Sequence, residues 1–202
     1  MPGIREKKKK ETKDRIQESA VTLFGSKGFS KTSMEDIADM SYIGVGTLYN
    51  YYKSKSDLLL SIIVDRSNDF ETDFKNALKN RSSDLLSAID GFFYIYIKSF
   101  SVYNKTIWRE FIGNGFSHDP VIIQNIWKVD EIYTSQFMEL MKLLKQDGFI
   151  NEKINLESAV QTLYSLLVFH ILKYISDENM TLKDLKKSLS KQAEIVIAGI
   201  EK

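Results

Sequence analysis

Residues 32–57, TSMEDIADMSYIGVGTLYNYYKSKSD, decide the fold of this chain. Ser33 and Asp36 have capping-box spacing, and behind them Met34, Ile37 and Ala38 fall on one helical face. A second short helix, roughly Val45 to Tyr52, sends Leu48 and Tyr52 inward at i, i+4 and leaves Thr47, Tyr49, Asn50 and Tyr51 on other faces. Ser54 and Asp57 form another capping box, flanked by Lys53 and Lys55. Short helix, turn, short helix with a polar aromatic face and nearby lysines is the pattern of a helix-turn-helix that reads DNA. The alternative is a three-helix head whose tyrosines only pack.

Working outward, the chain resembles the TetR/AcrR family of one-component transcriptional regulators. The resemblance is carried by Leu23-Phe24, Gly28-Phe29, Thr32-Ser33, Asp36-Ile37-Ala38, Gly46-Thr47-Leu48-Tyr49-Asn50-Tyr51-Tyr52, Ser54-Lys55 and Asp57-Leu58-Leu59. Two departures stand out. Tyr42 occupies the place where the family usually has a turn glycine, and Gly44-Val45 replace a common polar pair. The resemblance implies that Thr47 and Tyr49 hold phosphates, that Asn50 and Tyr51 lie near phosphates or bases, and that Lys55 meets a phosphate. Ser33, Val45 and Gly46 complete the candidate DNA-binding set.

Charge supports the same end of the molecule. Net charge is only +1, yet residues 1–15 hold seven basic and three acidic side chains, a local +4 that leaves −3 for the remainder. A basic tip on a mildly acidic body suits a protein that touches phosphates at one end. A solvated charged tail is the plainer explanation of the lysine run taken alone.

The whole chain reads as all-α, about nine helices. A head over residues 1–54 carries the helix-turn-helix, and a helical-bundle body over 55–202 is expected to bind a ligand and dimerise. Proline occurs only at Pro2 and Pro120, and no strand-like alternation is present. The first helix is expected from Glu11 to Lys27, with Gly28 as its left-handed end. A long fourth helix is expected from near Lys55 past Phe74, linking head to body. Ser82 or Ser83, Asp119-Pro120, Asn155 and Thr181-x-x-Asp184 mark later helix starts.

The 202 residues, 43% hydrophobic and 27% charged, include no cysteine, which excludes disulfides and thiolate chemistry. The start has no apolar stretch behind its charges, so no signal peptide is expected. No run is read as approaching the roughly 20 apolar residues that span a bilayer, and the expected location is cytoplasmic without membrane contact. His118 and His170 lie far apart without metal-ligand spacing; His118 reads as structural and His170 as a satisfied core residue or a pocket residue. No phosphate loop or nucleophile elbow is found, so neither enzyme activity nor a cofactor or metal is expected.

The body's aromatics are first of all core, but a mostly apolar cavity with a few polar tips is the ordinary form of a small-molecule site between helices. Phe93, Tyr96, Trp108, Phe111, Trp127, Asp130, Tyr133, Phe137, Tyr164 and His170 are the candidate pocket residues, for a small lipophilic effector. Asp130 falls on the face of Trp127, Tyr133 and Phe137, either solvated at its edge or projecting among the aromatics toward a cationic ligand. The last two helices are apolar over more than one face, so either they are internal or a second copy covers them. Leu163, Leu167, Ile171, Leu189, Val196 and Ile200 are the candidate interface residues. The resemblance implies the same dimer, together with a palindromic DNA operator released when effector binds. The rival readings are a small-molecule-binding protein or enzyme with a non-functional head, and a regulator that does not respond to ligand.

Overall fold

The computed structural model describes residues 3–101, 103–115 and 120–202, and their side chains except at 66–69, 111, 114–115, 120–123 and 125–126. Ten helices are described: α1 (Ile4–Ser26), α2 (Met34–Met40), α3 (Val45–Tyr51), α4 (Lys55–Asp69), α5 (Glu71–Lys79), α6 (Leu85–Ser101), α7 (Lys105–Gly115), α8 (Pro120–Gln146), α9 (Leu156–Ser176) and α10 (Leu182–Ile200). No strand occurs among the described residues, only one antiparallel bridge between Ile150 and Glu201. The all-α expectation holds.

Three elements differ from the sequence reading, each for a local reason. α1 begins at Ile4 rather than Glu11, so the lysine run is helical. Lysine and glutamate are good helix formers, and the Glu6 carboxylate accepts the Gly3 amide at 3.1 Å to close the exposed end. The long fourth helix is two helices, broken at Phe70 just after Ser67-Asn68-Asp69, three weak helix formers in succession. At α6 the cap is Asp84 rather than Ser82 or Ser83: its carboxylate accepts the Ser87 amide at 2.7 Å. Ser33, Asn155 and Thr181 do cap as expected, at 3.0, 2.8 and 3.2 Å. The Asp119 part of the Asp119-Pro120 start and His118 lie outside the described residues.

The chain divides into two compact units, Met1–Arg66 with Tyr103–Ile126, and Ser67–Val102 with Trp127–Lys202. In the first, Ile16, Ala20, Phe24, Ile37, Ala38 and Leu48 are buried, and the Phe24 and Phe29 rings meet at 5.0 Å. α7 belongs to this unit. A Cβ on Gly25 of α1 would meet the Asn104 amide nitrogen at 3.4 Å, and the Ser30 hydroxyl donates to Glu110 at 3.2 Å. In the second unit Phe92 stacks on Phe137 at 4.3 Å and meets Phe74 edge-on at 5.9 Å. Leu163, Leu167 and Ile171 of α9 are buried there with Leu185, Leu189 and Ala193 of α10. Each such leucine contributes about 1.5–3 kcal/mol by leaving water.

α9 corrects one expectation: it is long and apolar enough by composition to cross a membrane, with 44% of the relevant window buried. A core helix reaches the same composition because its stripe faces a protein interior instead of lipid. Here α9 packs along α10 and is capped by Asn155.

Candidate functional sites

The helix-turn-helix is built as its sequence dictates. Leu48 is fully buried and Tyr52 nearly so, which turns Gly46, Thr47, Tyr49 and Asn50 outward, with Val45 and Tyr51 half-buried. Ser33 accepts the Asp36 amide while Asp36 accepts the Ser33 amide at 2.8 Å, so Ser33 fixes the start of α2. Lys27 hydrogen-bonds Asp36 and, with the Ser33 amide, holds its carboxyl down to about 2.

Lys55 has a second employment that the sequence did not show. Its Nζ donates to the Phe29 carbonyl at 2.7 Å and sits 4.7 Å from the Phe29 ring centre. With a longer bond to the Ser30 carbonyl at 3.5 Å, this fixes the ammonium at the α1–α2 corner without exhausting its three donors.

Sequence reasoning missed a polar cluster under this surface. Gln17 donates to Asp65 at 2.6 Å, to Ser61 at 3.0 Å and to the Tyr52 hydroxyl at 3.3 Å, and Lys13 pairs with Asp65 at 2.6 Å. Burial alone would depress Lys13, but the Asp65 hydrogen bond and charge outweigh it and hold the amine above its ordinary value. One charge of the basic tip is therefore paired with a carboxylate of its own unit. The partners of Gln17 lie 35 to 48 residues away, beyond any local pattern.

The second site is a groove of about 880 Å3 between α8 and α9. Of the candidate pocket residues, Trp127, Asp130 and Tyr164 line it, joined by Glu131, Thr134, Met138, Glu157, Val168, Phe169 and Leu172. Trp127 is 59% exposed. Its charged lining residues are all carboxylates: Asp130, Glu131 and Glu157. The structure does not bring the other candidates to this groove. Phe93, Tyr96, Tyr133 and Phe137 are buried core, and Trp108 is buried in the other unit. His170 is buried with Nδ1 2.8 Å from the Leu166 carbonyl, so it is a satisfied core histidine. The Phe111 side chain lies outside the described residues.

Hydroxyls connect the groove to the core. The Tyr164 hydroxyl meets that of Tyr96 at 2.8 Å, and Tyr133 donates to Ser99 at 3.2 Å. Burial first, then the neighbouring Tyr96 and Asp130, push the Tyr164 phenol far above its ordinary value. It stays protonated and acts as a hydrogen-bonding tip.

The candidate interface residues need reassigning. Leu163, Leu167, Ile171, Leu189 and Ile200 are buried within the single chain, and Val196 is half-buried. The surface of the five buried ones is already covered by their own fold, because the stronger apolar stripe of an amphipathic helix is claimed by its own core. The bare apolar residues are those beyond the stripe: Phe169 at 58%, Leu172 at 43% and Ile195 at 75% exposed.

Residues 16–62 match the family model described as "Bacterial regulatory proteins, tetR family". Over this N-terminal segment the chain is similar to the TetR family of regulators. An HTH-type transcriptional regulator of Staphylococcus aureus (strain bovine RF122 / ET3-1) is 37% identical over 100 residues, which are 48% of this chain and 51% of that protein. The chain thus spans about half the length of the curated relatives it matches. Among solved structures it is similar to Thermus thermophilus FadR, a TetR-family transcriptional repressor in complex with lauroyl-CoA, at TM-score 0.73 and 21% identity, covering 93% of this chain and 94% of that one. It is also similar to the transcriptional regulator FadR of Bacillus subtilis in complex with stearoyl-CoA, at TM-score 0.70 and 16% identity, covering 92% and 98%. At these identities the two structures share the TetR-family fold with this chain.

Proposed function

We propose that this chain is a dimeric TetR-family transcriptional repressor that binds a palindromic operator and is released by a small lipophilic effector. The observation that carries the DNA half is the division of α3, which buries Leu48 while Gly46, Thr47, Tyr49 and Asn50 stand exposed together. Solvent exposure accounts for the polar residues there, but packing gives no reason for the Tyr49 ring to stand 48% exposed among them. Thr47, Tyr49 and Lys55 position the helix on phosphates, and Asn50 and Tyr51 lie near phosphates or bases.

Dimerisation through α9 and α10 is supported by the outward faces of that pair. Ser158, Thr162, Ser165, Phe169, Leu172 and Ser176 follow one another at spacings of three and four along α9, and Ser188, Gln192, Ile195 and Gly199 do so along α10. In a chain with 27% charged residues, two charge-free stripes suit close packing against a second copy. Two copies would then set their recognition helices about 34–36 Å apart, one turn of DNA.

The effector reading rests on the α8–α9 groove, which borders the proposed interface, since Ser165, Phe169 and Leu172 line both. The two FadR relatives were solved with acyl-CoA esters, which carry several phosphate charges. The charges lining the groove here are carboxylates, so its chemistry favours a neutral or cationic lipophile instead.

The test is binding of fluorescent duplex DNA across a salt series. Tyr49→Phe and Lys55→Ala should weaken binding to all sequences alike. Lys55→Ala should also flatten the log–log salt slope by about 0.9 for each phosphate lost. An unchanged slope, with helix content intact, removes Lys55 from the interface.

A further inference from the structure

Two helices of this chain end with the same hydrogen-bonding device but different residues at its critical position. At the end of α8, Gly148 donates to the Lys145 carbonyl and Phe149 to the Leu144 carbonyl, both at 3.0 Å. At the end of α2, Tyr42 donates to the Asp39 carbonyl at 3.1 Å and Ile43 to the Ala38 carbonyl at 3.0 Å. This closure needs a left-handed residue just after the cap, and φ is 84° at Gly148 and 54° at Tyr42. Glycine adopts that conformation freely, whereas a β-carbon crowds the following carbonyl. Tyr42 is the one non-glycine with positive φ among the described residues.

Beyond the two closing hydrogen bonds, which glycine would allow equally, no side-chain contact among the described residues repays the crowding. The Tyr42 side chain is 88% exposed, and among the described residues none hydrogen-bonds to it or stacks on it. A strained backbone that holds out a bare side chain points to a return obtained from a partner. The location names the partner. Tyr42 lies two residues before Gly44, the cap of α3, on the turn that delivers the exposed residues of that helix.

We infer that Tyr42 is a further DNA-contact residue, its hydroxyl donating to a backbone phosphate beside the groove that α3 enters while its ring packs on the adjoining sugar. This rests on the DNA-binding reading above. A phenol brings a flat apolar face and one donor with few rotatable bonds to immobilise, which suits the sugar–phosphate backbone. Being uncharged, it displaces no counterion. Its loss therefore lowers affinity at every salt concentration without changing the slope, unlike the loss of a lysine.

The consequence is an opposition between stability and binding at one residue. The experiment uses the full chain, mixed-sequence duplex DNA at low salt, and urea denaturation. Tyr42→Gly should unfold at higher urea than wild type yet bind DNA about tenfold more weakly with the same salt slope. Tyr42→Asn tolerates the same φ with less backbone freedom, and an equal loss of affinity there assigns the effect to the missing ring instead of a loosened turn. Tyr42→Phe should keep wild-type stability and lose part of the affinity through the hydroxyl. Wild-type affinity in Tyr42→Gly and Tyr42→Asn overturns the assignment, and so does a Tyr42→Gly protein less stable than wild type. A folded wild type that binds no duplex overturns the DNA-binding reading itself, which is a different result from unaffected variants.

Discussion

The helix-turn-helix and the α9–α10 pair are both amphipathic helices, yet only the first showed its working face in the sequence. In α3 a seven-residue helix has room for one inward position, so once Leu48 is inside, Gly46, Thr47, Tyr49 and Asn50 must be out. α9 is 21 residues long and apolar over two faces, and periodicity cannot say which face its own core takes. The structure gives the i, i+4, i+8 stripe of Leu163, Leu167 and Ile171 to the core and leaves Phe169 and Leu172 bare. A narrow helix with few choices announces its surface. A broad one hides it.

That contrast can be broken most severely at Leu163. Leu163→Glu would bury a carboxylate at a fully buried site and should cost about 4 kcal/mol or more, with loss of helical signal at ordinary temperature. Phe169→Glu combined with Ile195→Glu should keep full helix content while sedimenting as a monomer. A well-folded Leu163→Glu dimer would mean the two faces have been assigned the wrong way round, and a dimeric Phe169→Glu/Ile195→Glu protein would remove the outer stripes from the interface.

The groove gives a smaller effect. Asp130→Asn should leave DNA binding as it is but reduce release by cationic lipophiles about tenfold, with neutral compounds unaffected. Fluorescence anisotropy of bound duplex against matched cationic, neutral and anionic compounds measures this. Equal release of both proteins by cations would take Asp130 out of the site.

The smallest expected effect lies at the start of α2. The Asp36 carboxyl is lowered from 3.8 to about 2 in the fold by Lys27 and the Ser33 amide. A depressed carboxyl contributes stability that is complete above its unfolded value and disappears as pH falls through its folded one. Denaturation midpoints should therefore decline between about pH 4 and pH 2, and Asp36→Asn should decline less over that window. Parallel curves would show that this corner contributes nothing to acid stability.

The head was legible because its signals are local: capping boxes three residues apart, an i, i+4 inward pair, and lysines adjacent in sequence. What escaped was non-local or depended on choice of face. Gln17, Ser61 and Asp65 meet only when α1 and α4 pack, and Lys55 is drawn to the Phe29 carbonyl 26 residues earlier. Asp130 was visible on the line of Trp127, Tyr133 and Phe137, but that line runs from solvent into core. Trp127 and Asp130 therefore line the groove, whereas Tyr133 and Phe137 fill the interior. Tyr42 was visible as an unusual turn residue, and its meaning needed the backbone angle.

In the proposed function, two copies of α3 read a symmetric DNA site. The most direct test of that function is selection of duplexes bound by the purified full chain from a random-sequence pool. One palindrome should be enriched, with half-sites centred about one helical turn, roughly 34–36 Å, apart. Retention of DNA with no sequence enriched, or enrichment of a single unrepeated half-site, would contradict that function.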